Sequence, residues 1–304
     1  MHLRPPELPF MGSTIAHSPV GYSAAIFGAP HGTPYSEHDN RIHAGTAAAL
    51  RAAMHNDFAW FENWNFDFES VMLGERGFRL ADLGDLETRP DDGPGNRAKI
   101  RACTEAILGA GAVPLMIGGD DSTPIPFIEA FASHGPLTIV QIDAHIDWRE
   151  ERYGERLGFS STMRRASEMK HVEKIVQVGM RGLGSARQAE VRDAEAWGAK
   201  LITAADIHDR GIAGALDEIE AGAALLITLD CDALDWSIMP AVNYPTTGGL
   251  TYTQVTRLIQ TAIAKARLVG FDLIEFVPKR DQGGIGTFTA ARIICNVIGS
   301  LAKV

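Results

Sequence analysis

Cysteine is scarce in this chain. Three occur in 304 residues, Cys103, Cys231 and Cys295, an odd number at wide spacing. Neither a disulfide framework nor a Cys-rich zinc site follows, and a reducing cytoplasm is the default compartment. The start, Met1-His2-Leu3-Arg4-Pro5-Pro6, lacks the apolar run of a signal peptide, and no run of about 18 apolar residues occurs, so no membrane association is expected. Positive charge is also short: 28 Lys and Arg stand against 38 Asp and Glu, a formal net of −10. Such a balance disfavours nucleic acid as a partner, attracts cationic small molecules, and is partly neutralised if cations bind. Hydrophobic residues at 45% and charged residues at 22% are ordinary for a globular protein able to bury a sizeable core.

What is present alternates. Apolar, β-branched stretches at 24–28, 79–84, 113–117, 137–142, 174–180, 201–202, 225–230 and 267–274 read as strands. Helical patterns lie between them at 44–54, 97–109, 163–169, 186–197, 212–220 and 251–266, and a largely apolar helix at 287–302 closes the chain. The order implies an α/β protein with a mainly parallel sheet covered on both faces. Residues 1–22, with four prolines and no periodicity, are expected as an irregular arm, and 23–304 as one domain, since no linker, composition shift or repeat divides them.

Charged residues gather at strand ends. Strand 137–142 runs into Asp143-Ala144-His145-Ile146-Asp147; on an extended chain the two Asp and the His project one way and Ala144 and Ile146 the other. The stretch 225–229 ends likewise in Asp230-Cys231-Asp232. If adjacent, these ends supply five carboxylate and imidazole ligands, a set suited to a pair of divalent ions rather than one. A third acidic end, Gly118-Gly119-Asp120-Asp121-Ser122, follows strand 113–117, and Glu275 follows the last strand. In open α/β sheets the site lies beyond the carboxyl ends of the strands, where all of these fall. Gly118-Gly119 and Gly182-x-Gly184 match no nucleotide fingerprint and read as turns. His31, His38 and His43 lie in a Pro/Gly-rich loop without acidic or Cys ligands at regular spacing, which suggests a substrate-lining loop.

With these residues in place, the chain resembles the ureohydrolase family of arginases, agmatinases and related guanidino-compound hydrolases. Gly118-Gly119-Asp120-Asp121-Ser122 is similar to the family's Gly-Gly-Asp-His-Ser, Asp143 to Asp147 to its Asp-Ala-His-x-Asp, and Asp230 to Asp235 to its Asp-x-Asp-x-x-Asp. The resemblance implies a single three-layer α-β-α domain, assembly as a homo-oligomer (trimer or hexamer), and two divalent metal ions, manganese most often and nickel in some members. These activate the water that attacks a guanidinium carbon and releases urea. It further implies that Asp143 and Asp230 bridge the ions, that His145 and Asp232 complete one, and that Asp121 and Asp147 complete the other. Asp147 and Glu275 become the catalytic candidates, with Glu275 pairing with the guanidinium of a small cationic substrate.

The chain departs from that pattern in three places. Asp121 replaces a metal-binding histidine, leaving five carboxylates (Asp121, Asp143, Asp147, Asp230 and Asp232) against two divalent cations, which is expected to raise the pKa of the nucleophile. Phe159-Ser160-Ser161-Thr162 stands where many relatives carry a histidine that relays protons or helps bind substrate. Trp236 stands in place of a proline, and 239–245 in place of a Gly-rich loop, so Asn243 and Tyr244 are expected to line the cleft. Guanidino acids, alkylguanidines and biguanides therefore fit as well as agmatine. A non-catalytic subunit supporting a paralogue, or a ligand-binding protein on the same scaffold, is the alternative. Arg149, Arg152, Arg156, Arg164 and Arg165 are expected mainly on solvated surface, with contact to a substrate carboxylate as the other reading.

Overall fold

The structure is a computed structural model, and it describes residues 3–55, 61–74, 77–184 and 186–304. Met1 and His2 of the expected arm lie outside these ranges. In chain order the elements are β1 (Leu3–Arg4), β2 (Thr14–Ile15), β3 (Ala24–Gly28), α1 (Thr46–His55), β4 (Leu80–Leu86), α2 (Gly93–Gly109), β5 (Val113–Ile117), α3 (Pro124–Glu129) and β6 (Leu137–Ile142). There follow α4 (Thr162–Ser167), β7 (Val172–Met180), α5 (Gln188–Trp197), β8 (Lys200–Thr203), α6 (Ala204–Arg210), α7 (Ala213–Asp217), β9 (Ala224–Asp230), α8 (Tyr252–Lys265), β10 (Arg267–Ile274) and α9 (Ile285–Lys303). The arm carries the two short strands: β1 pairs antiparallel and β2 parallel with β4.

One sheet runs β1-β4-β3-β5-β10-β9-β6-β7-β8, and every pairing but β1 with β4 is parallel. The strands from β3 through β7 along the sheet are largely buried on both faces, and their alternation sorts the core into two layers. Ile26, Leu115, Val140, Ile142, Ile227 and Leu229 point to one cluster, which also takes in Leu50 of α1, Leu258 of α8 and Ile294 of α9. Phe27, Met116, Ile139 and Leu226, one residue out of phase, point to the other, shared with Ile100 of α2, Phe127 of α3 and Met163 of α4. Helices on both faces of the sheet make the three-layer α-β-α arrangement. By length and composition α9 could cross a membrane, but most of it is buried here against α1 and α8.

Chain order and spatial order diverge in the middle of the sheet. After β5 the chain crosses to β6, leaving a gap that β9 and β10 fill later, so β5, β10, β9 and β6 become consecutive neighbours. Because all four are parallel, their carboxyl ends share one edge, at the point where the strand order reverses.

Candidate metal centre

The four strand ends deliver the acidic groups. Asp121 comes from the β5 loop, Glu275 from the residue after β10, Asp230 and Asp232 from the end of β9, and Asp143, His145 and Asp147 from the residues after β6. The five aspartates and Glu275 are buried, and His145 is partly exposed. Two overlapping groups result: Asp143, His145 and Asp232 offer ligand atoms within 4.8 Å of one another, and so do Asp121, Asp143 and Asp147. Asp143 belongs to both. Asp230 falls in neither group; its Oδ1 accepts the Asp232 backbone N–H at 2.7 Å. His145 Nδ1 lies 3.1 Å from Asp232 Oδ2 and 3.3 Å from Asp143 Oδ1.

The Asp-x-His-x-Asp run does not extend the strand, as its alternation suggests. It bends after Ile142, and Asp147 takes a left-handed backbone, φ 45°. Convergence comes from the turn rather than from the pleat. Glu275 is also left-handed, at φ 60°. Non-glycine residues held there cost of order 1–3 kcal/mol and persist where the surroundings over-determine them. For Glu275 the constraint is visible. Its Oε1 accepts the Asp121 N–H at 2.9 Å, and the carbonyl of Phe276 accepts from His43 Nδ1 at 3.1 Å and Thr46 Oγ1 at 3.0 Å. Since a carbonyl only accepts, His43 carries its proton on Nδ1, and burial pulls its pKa down to about 4.

Sequence reasoning passed over the groups beneath the cluster. Gln177, Gln141, Thr228 and Asp272 are register neighbours across β7, β6, β9 and β10, and all four are buried. Gln141 Nε2 donates to Asp143 Oδ2 at 2.7 Å and to Asp147 Oδ2 at 2.8 Å. Gln177 Nε2 donates to Gln141 Oε1 and to the Ile146 carbonyl, fixing which way the Gln141 amide faces. The available signal was a polar residue inside an apolar strand, two positions before the acid: Gln141 before Asp143, and Thr228 before Asp230. Arg181 was also overlooked. Its guanidinium donates to the carbonyls of Asp232 (2.6 Å) and Thr246 (2.8 Å), tying the 234–249 loop to the β9 end.

A cavity of about 470 Å³ opens over the cluster. Asp121, His145, Asp147, Asp230, Asp232 and Glu275 line it, together with Asn243, Tyr244, Arg149 and Arg152 among others. Of the three early histidines, His38 reaches this neighbourhood through a 3.0 Å contact of its Nδ1 with Tyr244 Oη, and His43 through its Nε2, 3.6 Å from Glu275 Oε2. His31 contacts Thr88 instead.

A family model described as the arginase family matches residues 22–299, nearly the whole length. The chain belongs to the arginase family. Among its relatives in that family, the mitochondrial guanidino acid hydrolase of Homo sapiens is 29% identical over 252 residues, covering 78% of this chain and 71% of that protein. An agmatinase of Proteus mirabilis is 27% identical, covering 77% of this chain and 73% of the relative. The solved structure of proclavaminate amidinohydrolase from Streptomyces clavuligerus superposes with a TM-score of 0.84 at 26% identity, over 99% of this chain and 98% of that one. As an arginase-family member the protein is a hydrolase of the arginase and agmatinase type.

The residues present fit the binuclear divalent site typical of the arginase family. Both Asp121 oxygens are buried without a hydrogen-bond partner, a costly state for a carboxylate unless a cation or proton meets it. Burial, reinforced by neighbouring carboxylates, pushes Asp121, Asp143 and Asp230 well above the usual range. Burial does the same to Glu275, with Asp120 next. Burial acts to lower His145, but the Asp232 and Asp143 charges outweigh it and raise it to about 12. Asp232, where burial is outweighed by the His145 charge, falls below the usual range. By itself the cluster draws in protons; divalent cations answer the same demand.

At 159–162, where the resemblance implies a histidine, this chain places Ser160 against Tyr35, and Thr162 Oγ1 donates to the Asp121 carbonyl. That threonine holds the backbone of Asp121. The five arginines depart from the surface reading: only Arg156 is exposed, Arg149, Arg152 and Arg164 are half-buried and Arg165 is buried, and four of them pair with carboxylates. Arg156, Arg164 and Arg165 pair with Glu150 at 2.6, 3.0 and 3.0 Å, and Arg149 lies 3.7 Å from Glu190. Arg152 differs, having no carboxylate partner among the described residues.

Proposed function

We propose that this arginase-family chain is a binuclear metal-dependent amidinohydrolase that cleaves a C–N bond of a small cationic guanidino compound and releases urea or a close analogue. One observation carries the reading: two ligand groups meet at Asp143, and one of them includes Asp121 with both carboxylate oxygens unpaired. In this reading Asp143, shared by the two groups, and Asp230 would serve the pair of ions together, His145 and Asp232 would hold one, and Asp121 and Asp147 the other. Five carboxylates and a single imidazole suit a hard divalent ion such as manganese, with nickel the second ion that the family resemblance implies.

When bound, such a pair supplies the positive charge that brings the pKa of water from about 15.7 to near 7. The remaining work falls to the chain. Glu275 pairs with the substrate guanidinium and turns its carbon toward the cluster, because a charge-assisted bond to a planar cation fixes orientation as well as position. Asp147, with one oxygen held by Gln141, accepts the proton released on attack and passes it to the departing amine. Asn243 and Tyr244 wall the substrate.

Metal analysis and urea assays on the purified chain test this, with manganese and nickel supplied separately across a panel of guanidino compounds. Two ions per chain and metal-dependent urea release are expected. A chain that takes up no ion overturns the proposal, and full occupancy with no turnover on any compound points to the non-catalytic subunit instead.

A further inference from the structure

Arg152 is held at the cavity in a manner the other arginines of its loop are not. Arg152 and Glu155 exchange both backbone hydrogen bonds at 3.0 Å, closing a two-residue turn in which Tyr153 (φ 55°) and Gly154 (φ 77°) are both left-handed. The guanidinium carbon of Arg152 then sits over three rings, at 5.0 Å from the centre of Tyr153, 5.5 Å from Tyr35 and 5.7 Å from Phe159. Those rings are fixed in turn. Tyr35 packs edge-on against Phe159 at 4.7 Å between ring centres, and its Oη lies 2.7 Å from Ser160 Oγ. A Cβ at Gly158 would fall 2.1 Å from the Tyr35 ring, so only glycine admits this contact.

Cation–π contacts hold a guanidinium by its faces and leave its edge N–H groups free. Here the fork opens on the same cavity as Glu275, Asn243 and Tyr244. Among the described residues its one edge contact is a 3.5 Å approach of Nη2 to Tyr153 Oη, while four neighbouring arginines already have carboxylates. Burial lowers the pKa of His38 and the Arg152 charge adds to that effect, whereas burial raises the pKa of Tyr244 against a smaller opposing effect of Arg152.

From this geometry we propose that Arg152 is a specificity-determining residue that receives a carboxylate at the far end of the substrate, so that the preferred substrate is a guanidino acid rather than an amine-tailed guanidine. The inference rests on the amidinohydrolase reading above. A substrate with opposite ends matches the cavity: its guanidinium goes to Glu275 and its carboxylate to the Arg152 fork, a pairing for which bidentate geometry is suited. Agmatine, with an ammonium at the far end, would set like charge against Arg152.

The test compares urea release from a linear guanidino acid, agmatine and an uncharged alkylguanidine of matched length. The metal-loaded wild type is run beside Arg152→Gln, Arg152→Lys and the surface control Arg156→Gln, with calorimetric binding of the guanidino acid alongside. In the wild type, kcat/KM is expected to rank the acid above the alkylguanidine and agmatine last. In Arg152→Gln the acid-to-alkylguanidine ratio falls about tenfold or more, mostly through KM, as loss of a charge-assisted contact implies. Arg152→Lys falls between, and Arg156→Gln keeps the wild-type ratio. An unchanged ratio in Arg152→Gln overturns the proposal, as does a wild type that prefers agmatine. If no compound yields urea, the amidinohydrolase reading fails by itself. Calorimetry then decides on Arg152: equal binding of the acid by wild type and Arg152→Gln removes its role.

Discussion

Glu275 Oε1 accepts the backbone N–H of Asp121 at 2.9 Å, joining the ends of β10 and β5. One carboxylate thus positions the β5 loop through one oxygen while its other oxygen lies 3.6 Å from His43 Nε2. The left-handed backbone of Glu275 is held from both sides, by its own carboxylate on the Asp121 N–H and by His43 and Thr46 on the carbonyl of the next residue, Phe276.

Replacing Glu275 with Gln keeps an oxygen that can accept the Asp121 N–H but removes the negative charge that orients the guanidinium. The expected outcome is a loss of about 10²- to 10³-fold in kcat/KM with metal content retained, because misorientation of the reacting carbon is costly even when binding partners remain. Steady-state urea assays with metal analysis on the same preparation check it. Near-normal turnover would remove Glu275 from the chemistry.

Gln141 lies outside the ligand set, yet one amide nitrogen spans Asp143 and Asp147. Gln141→Leu keeps the volume and leaves both oxygens without their donor. Groups that orient metal ligands typically contribute 10- to 100-fold in affinity, so metal retention against a chelator should fall by about that factor. A titration indistinguishable from wild type would make the amide row a packing feature only.

Asp121→His removes one negative charge from the cluster. The remaining carboxylates of the ligand set, Asp143, Asp147, Asp230 and Asp232, would then balance two divalent cations. Less negative charge around the nucleophile favours its ionised form, so the acidic limb of the pH-rate profile should move to lower pH. An acidic limb that stays in place would make the exchange a tolerated ligand swap.

Much of this site was readable from the chain because buried apolar strands stop abruptly at charged residues. β3, β5, β6 and β10 have the expected bounds, each an apolar run closed by a turn or an acid. Where two signals competed, the reading slipped. α2 starts at Gly93 rather than 97, because Asp92 caps it by accepting from Gly95 and Pro94 fits the first turn. α6 was not anticipated, its polar run burying only Ala204 and Ile207, although Thr203 and Asp206 form a capping box at its start. The Arg152 platform was legible only in part: the loop's arginines were visible, but Tyr35 and Ser160 meet across 125 residues, and no local pattern announces such a contact.

A buried ion group holds the other side of the sheet. Arg51 of α1 makes two bonds of 2.8 Å to Asp82 and one of 2.7 Å to Asp85, and Asp82 also accepts the Phe10 N–H. Arg51→Met would strand two carboxylates, one of them fully buried. Such a loss costs about 3–5 kcal/mol, so denaturant unfolding should show a much earlier midpoint. A midpoint within error of wild type would mean that the carboxylates find water or another donor.

Asp272 sits in the middle of β10, fully buried, with Thr228 Oγ1 donating to one oxygen at 2.7 Å and no partner for the other. Burial, against a smaller opposing effect of Thr228, raises its pKa to about 8. The unfolded chain releases this proton near the ordinary value of 3.8, whereas the folded chain keeps it until about 8. Between those values the folded state binds the extra proton, so the contribution of this group to stability is present below about pH 4 and is lost as pH rises toward 8. Each pH unit in the window costs up to about 1.4 kcal/mol, which is roughly 2–4 °C in Tm for each kcal/mol in a chain of this order of size. Asp272→Asn preserves the acceptor for Thr228 and cannot ionise. Its Tm should therefore match wild type near pH 4 and exceed it increasingly toward pH 8, with both proteins metal-loaded at the upper end. A difference that is constant with pH would show that Asp272 is ionised in the folded protein, compensated by a charge from the cluster above it.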